Sequence, residues 1–125
     1  MSLTTVIGKI DKFLISCGFA NPQINGNGYY FYTINNVKIY FYPSNDGVRI
    51  SVIPTARKYN IAGTKRIEVD GVGLLEIEVN PQLSNPRMNI YLSEHHLSID
   101  RLNNTTSYML SCVDDIYGKF ENNIR

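Results

Sequence analysis

Apolar side chains recur at helical spacing through Leu3, Val6, Ile7, Ile10, Phe13, Leu14 and Cys17, which leaves Lys9, Asp11 and Lys12 for solvent. The pattern predicts an amphipathic helix that opens at Ser2 or Thr4, whose hydroxyls can accept from the unpaired N–H groups of the first turn. Gly18 can end it in the left-handed conformation, letting Phe19 fold back toward Leu14. Gly8 inside the helix costs about 1 kcal/mol relative to alanine. A second helix is predicted from about Thr106 to Glu121, where Met109, Leu110, Val113, Ile116, Tyr117 and Phe120 form the stripe and Asp115 faces Lys119 on the outer side.

Between the helices the period changes to alternation. Tyr29 to Ile34 and Val37 to Tyr42 flank Asn35 and Asn36, residues that tolerate positive φ, so a two-residue hairpin is predicted. Its register pairs Ile34 with Val37, Tyr32 with Ile39 and Tyr30 with Phe41 on one face. Tyr29, Phe31, Thr33, Lys38, Tyr40 and Tyr42 fall on the other. A third strand, Val48 to Ile53, completes a meander. Pairing Tyr42 with Gly47 adds Val48, Ile50 and Val52 to the aliphatic face, and Arg49 and Ser51 to the aromatic one.

Pro54 stops the meander, and Thr55 to Ala62 reads as two helical turns before Gly63. Lys65 to Val69 and Gly73 to Val79 then form a hairpin around Asp70, Gly71 and Val72, setting Ile67 against Leu75 and Arg66 against Glu76. A loop over 80–86 leads to a further strand, Met88 to Leu92, and 93–102 fits strand or helix equally. Residues 1–125 thus read as a single α+β domain: N-terminal helix, antiparallel three-strand meander, hairpin, further strand, and a C-terminal helix packed on the sheet.

Composition sharpens this picture. A chain that is 43% hydrophobic and 18% charged is globular, and its length suffices for a core without metals or disulfides. With 12 basic against 11 acidic residues there is no global field to draw in nucleic acid or anionic lipid. Abundant Asn and Ile with 9 Tyr suggest an AT-rich coding sequence, such as that of a small bacterial or phage protein. Without a signal-peptide pattern or a bilayer-length apolar run, a cytoplasmic location is expected. Cys17 and Cys112 are not in a Cys-x-x-Cys pair and fall on the predicted helices, so both are expected as buried free thiols.

Candidate chemistry is sparse. Glu68, Asp70, Glu76 and Glu78 have the residue type of a metal site, but the glutamates alternate with apolar residues as the wet face of a hairpin does. His95 and His96 are adjacent and badly spaced for one metal. No nucleophile motif or phosphate-cradling glycine loop is present, so neither an enzyme nor a cofactor or metal is expected. Two binding features stand out. One is the aromatic face of Tyr29, Phe31, Lys38, Tyr40, Tyr42 and Arg49, suited to a protein partner unless a helix covers it. The other is the basic cluster Arg57, Lys58, Lys65 and Arg66.

A helix ending at Cys17, Gly18 and Phe19, a meander over Tyr30 to Ile53, and an acidic–apolar helix over Leu110 to Tyr117 together resemble the small effector chaperones of bacterial type III secretion. Such chaperones are usually acidic, whereas this chain has a pI near 7.7. The resemblance lies in the order of elements and carries over no site residue. The expectation is a non-enzymatic protein-binding module of chaperone, adaptor or inhibitor type. It would bind through a sheet edge or the aromatic face, as a homodimer. The alternative is a single-stranded nucleic-acid-binding protein that uses the Tyr-rich face and the Arg57 to Arg66 cluster.

Overall fold

The computed structural model describes residues 3–18, 23–24, 30–34, 37–54, 63–79 and 86–113, with the backbone alone at 23–24, 30–32 and 34. Helix α1 is Leu3–Ser16, and its stripe buries Val6, Ile10, Phe13 and Leu14. It ends at Gly18 as expected: the Gly18 N–H donates to the Ile15 carbonyl at 3.0 Å and Gly18 has φ +95°, while Phe19 lies outside the described residues. The expected burial of Cys17 is not met. Cys17 lies in the closing turn, past the last buried residue of the stripe, and is exposed, whereas Cys112 is buried as expected. Both thiols are free.

The strands are β1 Gln23–Ile24, β2 Tyr30–Ile34, β3 Val37–Pro43, β4 Gly47–Pro54, β5 Gly63–Val69, β6 Gly73–Val79 and β7 Pro86–Ser93. They form one antiparallel seven-stranded sheet in the order β1-β2-β3-β4-β7-β6-β5. The β2–β3 register is the expected one, with Tyr30 opposite Phe41, Tyr32 opposite Ile39 and Ile34 opposite Val37. The β3–β4 register is shifted from the expected one: Tyr42 faces Arg49 rather than Gly47. The Ser44 N–H donates to the Gly47 carbonyl at 2.8 Å, which tightens the connection around Asn45 and Asp46. Because the shift is even, Val48, Ile50 and Val52 still lie on the aliphatic face. The β5–β6 hairpin keeps its predicted pairs, Ile67 with Leu75 and Arg66 with Glu76.

Two features of the sheet depart from the sequence reading. Strand β1 precedes the first strand that alternation predicts; it is only 2 residues long, too short to show a period. Strand β7 is longer than Met88 to Leu92 and sits between β4 and β6, pairing with both. Pro86 is its first residue, a position where a missing N–H disturbs the ladder least.

Helix α2 is Ile99–Ser111, so it begins well before Thr106. Strand β7 ends at Ser93, a 3-10 turn spans Glu94–His96, and the Ser98 hydroxyl accepts from the Arg101 N–H at 3.0 Å to cap the helix. The early turns escape the apolar pattern because two threonines occupy core-facing positions beside Leu102 and Met109. Thr106 donates to the Leu102 carbonyl at 2.8 Å. The Thr105 hydroxyl is buried and has no partner among the described residues. Thr105→Val is therefore expected to raise unfolding free energy by about 1 kcal/mol in urea titration, since it removes an unpaired polar atom at nearly constant volume. The expected helix beyond residue 113 and the two turns over 55–62 lie outside the described residues.

Both helices pack on the aliphatic side of the sheet and touch each other. There Ile39, Phe41, Ile50, Ile77, Met88 and Ile90 are buried with Ile10, Phe13, Leu14, Leu102 and Met109. Phe13 meets Phe41 edge-on, with ring centroids 6.2 Å apart. The architecture is thus the expected α+β fold. Among the described residues no helix is long and apolar enough to cross a membrane.

Candidate binding face

Strand alternation sends every second side chain to the side away from the helices. One row across that outer face runs through Tyr40, Ser51, Asn89, Glu76 and Arg66; the next holds Tyr42, Arg49 and Tyr91. Tyr40 and Tyr42, two apart on β3, stack with centroids 5.8 Å apart and planes 18° from parallel. The Arg49 guanidinium, directly opposite on β4, lies over the Tyr42 ring at 4.4 Å from its centroid. That contact is a cation–π pair of about 0.5–1 kcal/mol at an exposed site.

Polar side chains tie the centre of this face together. Ser51 is wholly buried although it points away from the core, and its hydroxyl donates to Asn89 Oδ1 at 2.6 Å. Asn89 Nδ2 donates in turn to Glu78 Oε1 at 3.2 Å. Toward the edge, Arg66 Nε donates to Glu76 Oε2 at 3.0 Å. Arg66 is largely exposed, so this pair adds at most about 1 kcal/mol.

Between the aromatic stack and the carboxylates runs an open groove of about 370 Å³ lined by Arg49, Leu74, Glu76, Asn89 and Tyr91. Leu74 is 50% exposed and Tyr91 53%, so the groove has an apolar wall and an aromatic wall in reach of solvent. Its polar groups are of both signs, Arg49 on one side and Glu76 on the other. A groove of this kind suits a peptide segment, which offers apolar side chains, N–H donors and carbonyl acceptors together.

The predicted site residues fare differently. Tyr40, Tyr42 and Arg49 come together, and Lys38 stands exposed on the same face. Phe31 pairs with Tyr40 through the backbone, and Tyr29 lies outside the described residues. The helices leave this face open among the described residues, because both seat on the aliphatic side. Of the basic cluster, only Lys65 and Arg66 are described. Arg57 and Lys58 lie outside the described residues, and adjacent positions on β5 put Lys65 and Arg66 on opposite faces. Sequence reasoning missed Leu74, Asn89 and Tyr91. Signals existed: Leu74 breaks the alternation of β6, and Asn89 is a polar residue between Met88 and Ile90. No family model matches this chain, nor does any curated protein or solved structure.

Proposed function

We propose that this chain is a non-enzymatic protein-binding module, of chaperone, adaptor or inhibitor type, that receives a segment of its partner on the outer face of the sheet. The observation that carries this reading is the groove between Arg49, Leu74 and Tyr91, whose apolar and aromatic walls stand in solvent while the core lies on the other side. Aromatic and arginine side chains are the usual energetic anchors of protein interfaces. The Ser51, Asn89 and Glu78 chain of hydrogen bonds holds the groove floor in one arrangement.

Affinity capture from the native cell, with nuclease treatment, tests it. Leu74→Ala with Tyr91→Ala is expected to lose the captured partner, with affinity falling about 30-fold or more if Tyr91 is an anchor. Ile99→Ala, which trims a comparably exposed side chain on α2, serves as the control and retains it. Equal capture by both variants would rule out the groove as the docking site. The second reading, single-stranded nucleic acid, draws on Lys38 and on Arg49 beside the Tyr40 and Tyr42 rings. The carboxylates of Glu76 and Glu78 on the same face oppose it. Salt-sensitive binding of a labelled oligonucleotide, lost in Lys38→Ala with Arg49→Ala, would favour it over the protein partner.

A further inference from the structure

Strand β5 ends the sheet: it pairs with β6 on one side and with no other strand among the described residues. Its inner-side residues Ile67 and Val69 pack against the core but are only half-buried, so their apolar surface is partly in reach of solvent along this edge. A strand of 7 residues whose outer row of N–H and C=O groups meets no further strand among the described residues is a template for another strand. The order of its side chains decides which strand fits.

We propose that a second copy of this chain adds its own β5 to this edge, antiparallel, with the two-fold axis at Ile67. This inference rests on the edge alone and not on the groove of the outer face. About that axis Ile67 meets Ile67 of the second copy on the core side. Arg66 meets Glu68 of the second copy, and by symmetry Glu68 meets its Arg66, on the outer side. The neighbouring registers that keep the helices of both copies on one side all oppose like charges. An axis at Arg66 sets arginine against arginine, one at Glu68 sets glutamate against glutamate, and one at Lys65 sets lysine against lysine. Only the axis at Ile67 leaves every charged pair within these four registers complementary.

The side chains are placed for it. Arg66 holds Glu76 of its own chain through Nε, which leaves its terminal nitrogens to donate to a second carboxylate. Glu68 is exposed and forms no ion pair among the described residues. Lys65, half-buried on the inner side, is the kind of charge that discourages indiscriminate strand addition. In this register it lies beside Val69 of the second copy along its aliphatic stem, so it deters other strands more than this one. Joining the edges makes one continuous sheet with all four helices on the same side and both grooves on the other.

Sedimentation equilibrium from about 1 to 300 μM reads the outcome. The wild-type chain is expected to dimerise, and Glu68→Arg to raise the dissociation constant at least about tenfold, because both complementary pairs become like-charge pairs. Mixing Glu68→Arg chains with Arg66→Glu chains restores the opposite-charge pairs, so the mixture dimerises more tightly than either variant alone. Melting curves verify folding, and Glu68→Gln, which adds no like charge, weakens the dimer less and replaces Glu68→Arg if that chain does not fold. Tyr91→Ala leaves the dimer unchanged, which separates this interface from the groove. A wild-type chain that stays monomeric throughout, or a dimer indifferent to Glu68→Arg, overturns the proposal.

Discussion

Phe13→Ala is expected to lower the unfolding free energy by about 3–5 kcal/mol, read as a fall in the urea midpoint at unchanged slope. The ring is 1% exposed and packs edge-on against Phe41 at the centre of the inner face. It is the largest side chain that α1 places in the core, so its removal costs the transfer free energy of the ring, and the cavity it leaves cannot be refilled by the short Val6 or by Leu14, which already fill their own sites. For a domain of ordinary stability this is a large share of the total, and the variant should be partly unfolded at physiological temperature. Ile15→Ala provides the comparison on the same helix. Its side chain is 59% exposed, and the expected change is within about 0.5 kcal/mol. If the two variants proved equally stable, α1 would not be seated on the sheet through Phe13.

Gly47→Ala is the second large effect, expected to cost about 1–3 kcal/mol or more. Gly47 opposes Ser93 where β4 meets β7, and a Cβ built on it would overlap the Leu92 carbonyl oxygen and stand 2.9 Å from the Ser93 Cα. Both are backbone atoms, so no rotamer change relieves the overlap; the strands themselves must part. The same corner carries the hydrogen bond from the Glu94 N–H to the Asp46 carbonyl, 2.8 Å, which ties the β3–β4 connection to the end of β7. Parting the strands would weaken that bond and loosen β7 where Tyr91 lines the groove, so the variant should also impair partner capture. Gly8→Ala should go the other way. An added Cβ there meets nothing within 4 Å, and alanine in a helix gains up to about 1 kcal/mol over glycine. Opposite signs at the two glycines, measured by thermal melting, would verify that close approach rather than glycine content is what matters at position 47.

Alternation and helical spacing are local properties, and wherever burial is one-sided they made the chain's own preferences readable. Leu3 to Leu14 declared a helix and the face it buries. The hairpins were legible down to residue pairs, because complementary partners agreed on both faces: Tyr32 with Ile39, Arg66 with Glu76, Ile67 with Leu75. The β3–β4 turn was misjudged by an even step, an error that alternation does not detect, since every side chain keeps its face. The start of α2 was hidden for a different reason. Thr105 and Thr106 are polar letters in buried positions, and a pattern built on apolar residues passes over them.

What tertiary structure alone decided is which neighbour each strand takes. An alternating strand says which of its faces is wet but not what lies beside it, so nothing local placed β7 between β4 and β6. That placement brings Tyr91 and Asn89 beside Arg49 and Ser51, and so makes the groove. It also leaves β5 as the last strand among the described residues, with Arg66 and Glu68 on its outer face and Ile67 on its inner one. Helix α1, the pairing within the hairpins and the division of the sheet into an aliphatic and an aromatic face were readable from local period, because each follows from a short stretch. The side on which the described helices settle and the partners of β7 depend on contacts between residues far apart in the chain. Those contacts are chosen by the burial of the whole core, which no short stretch contains.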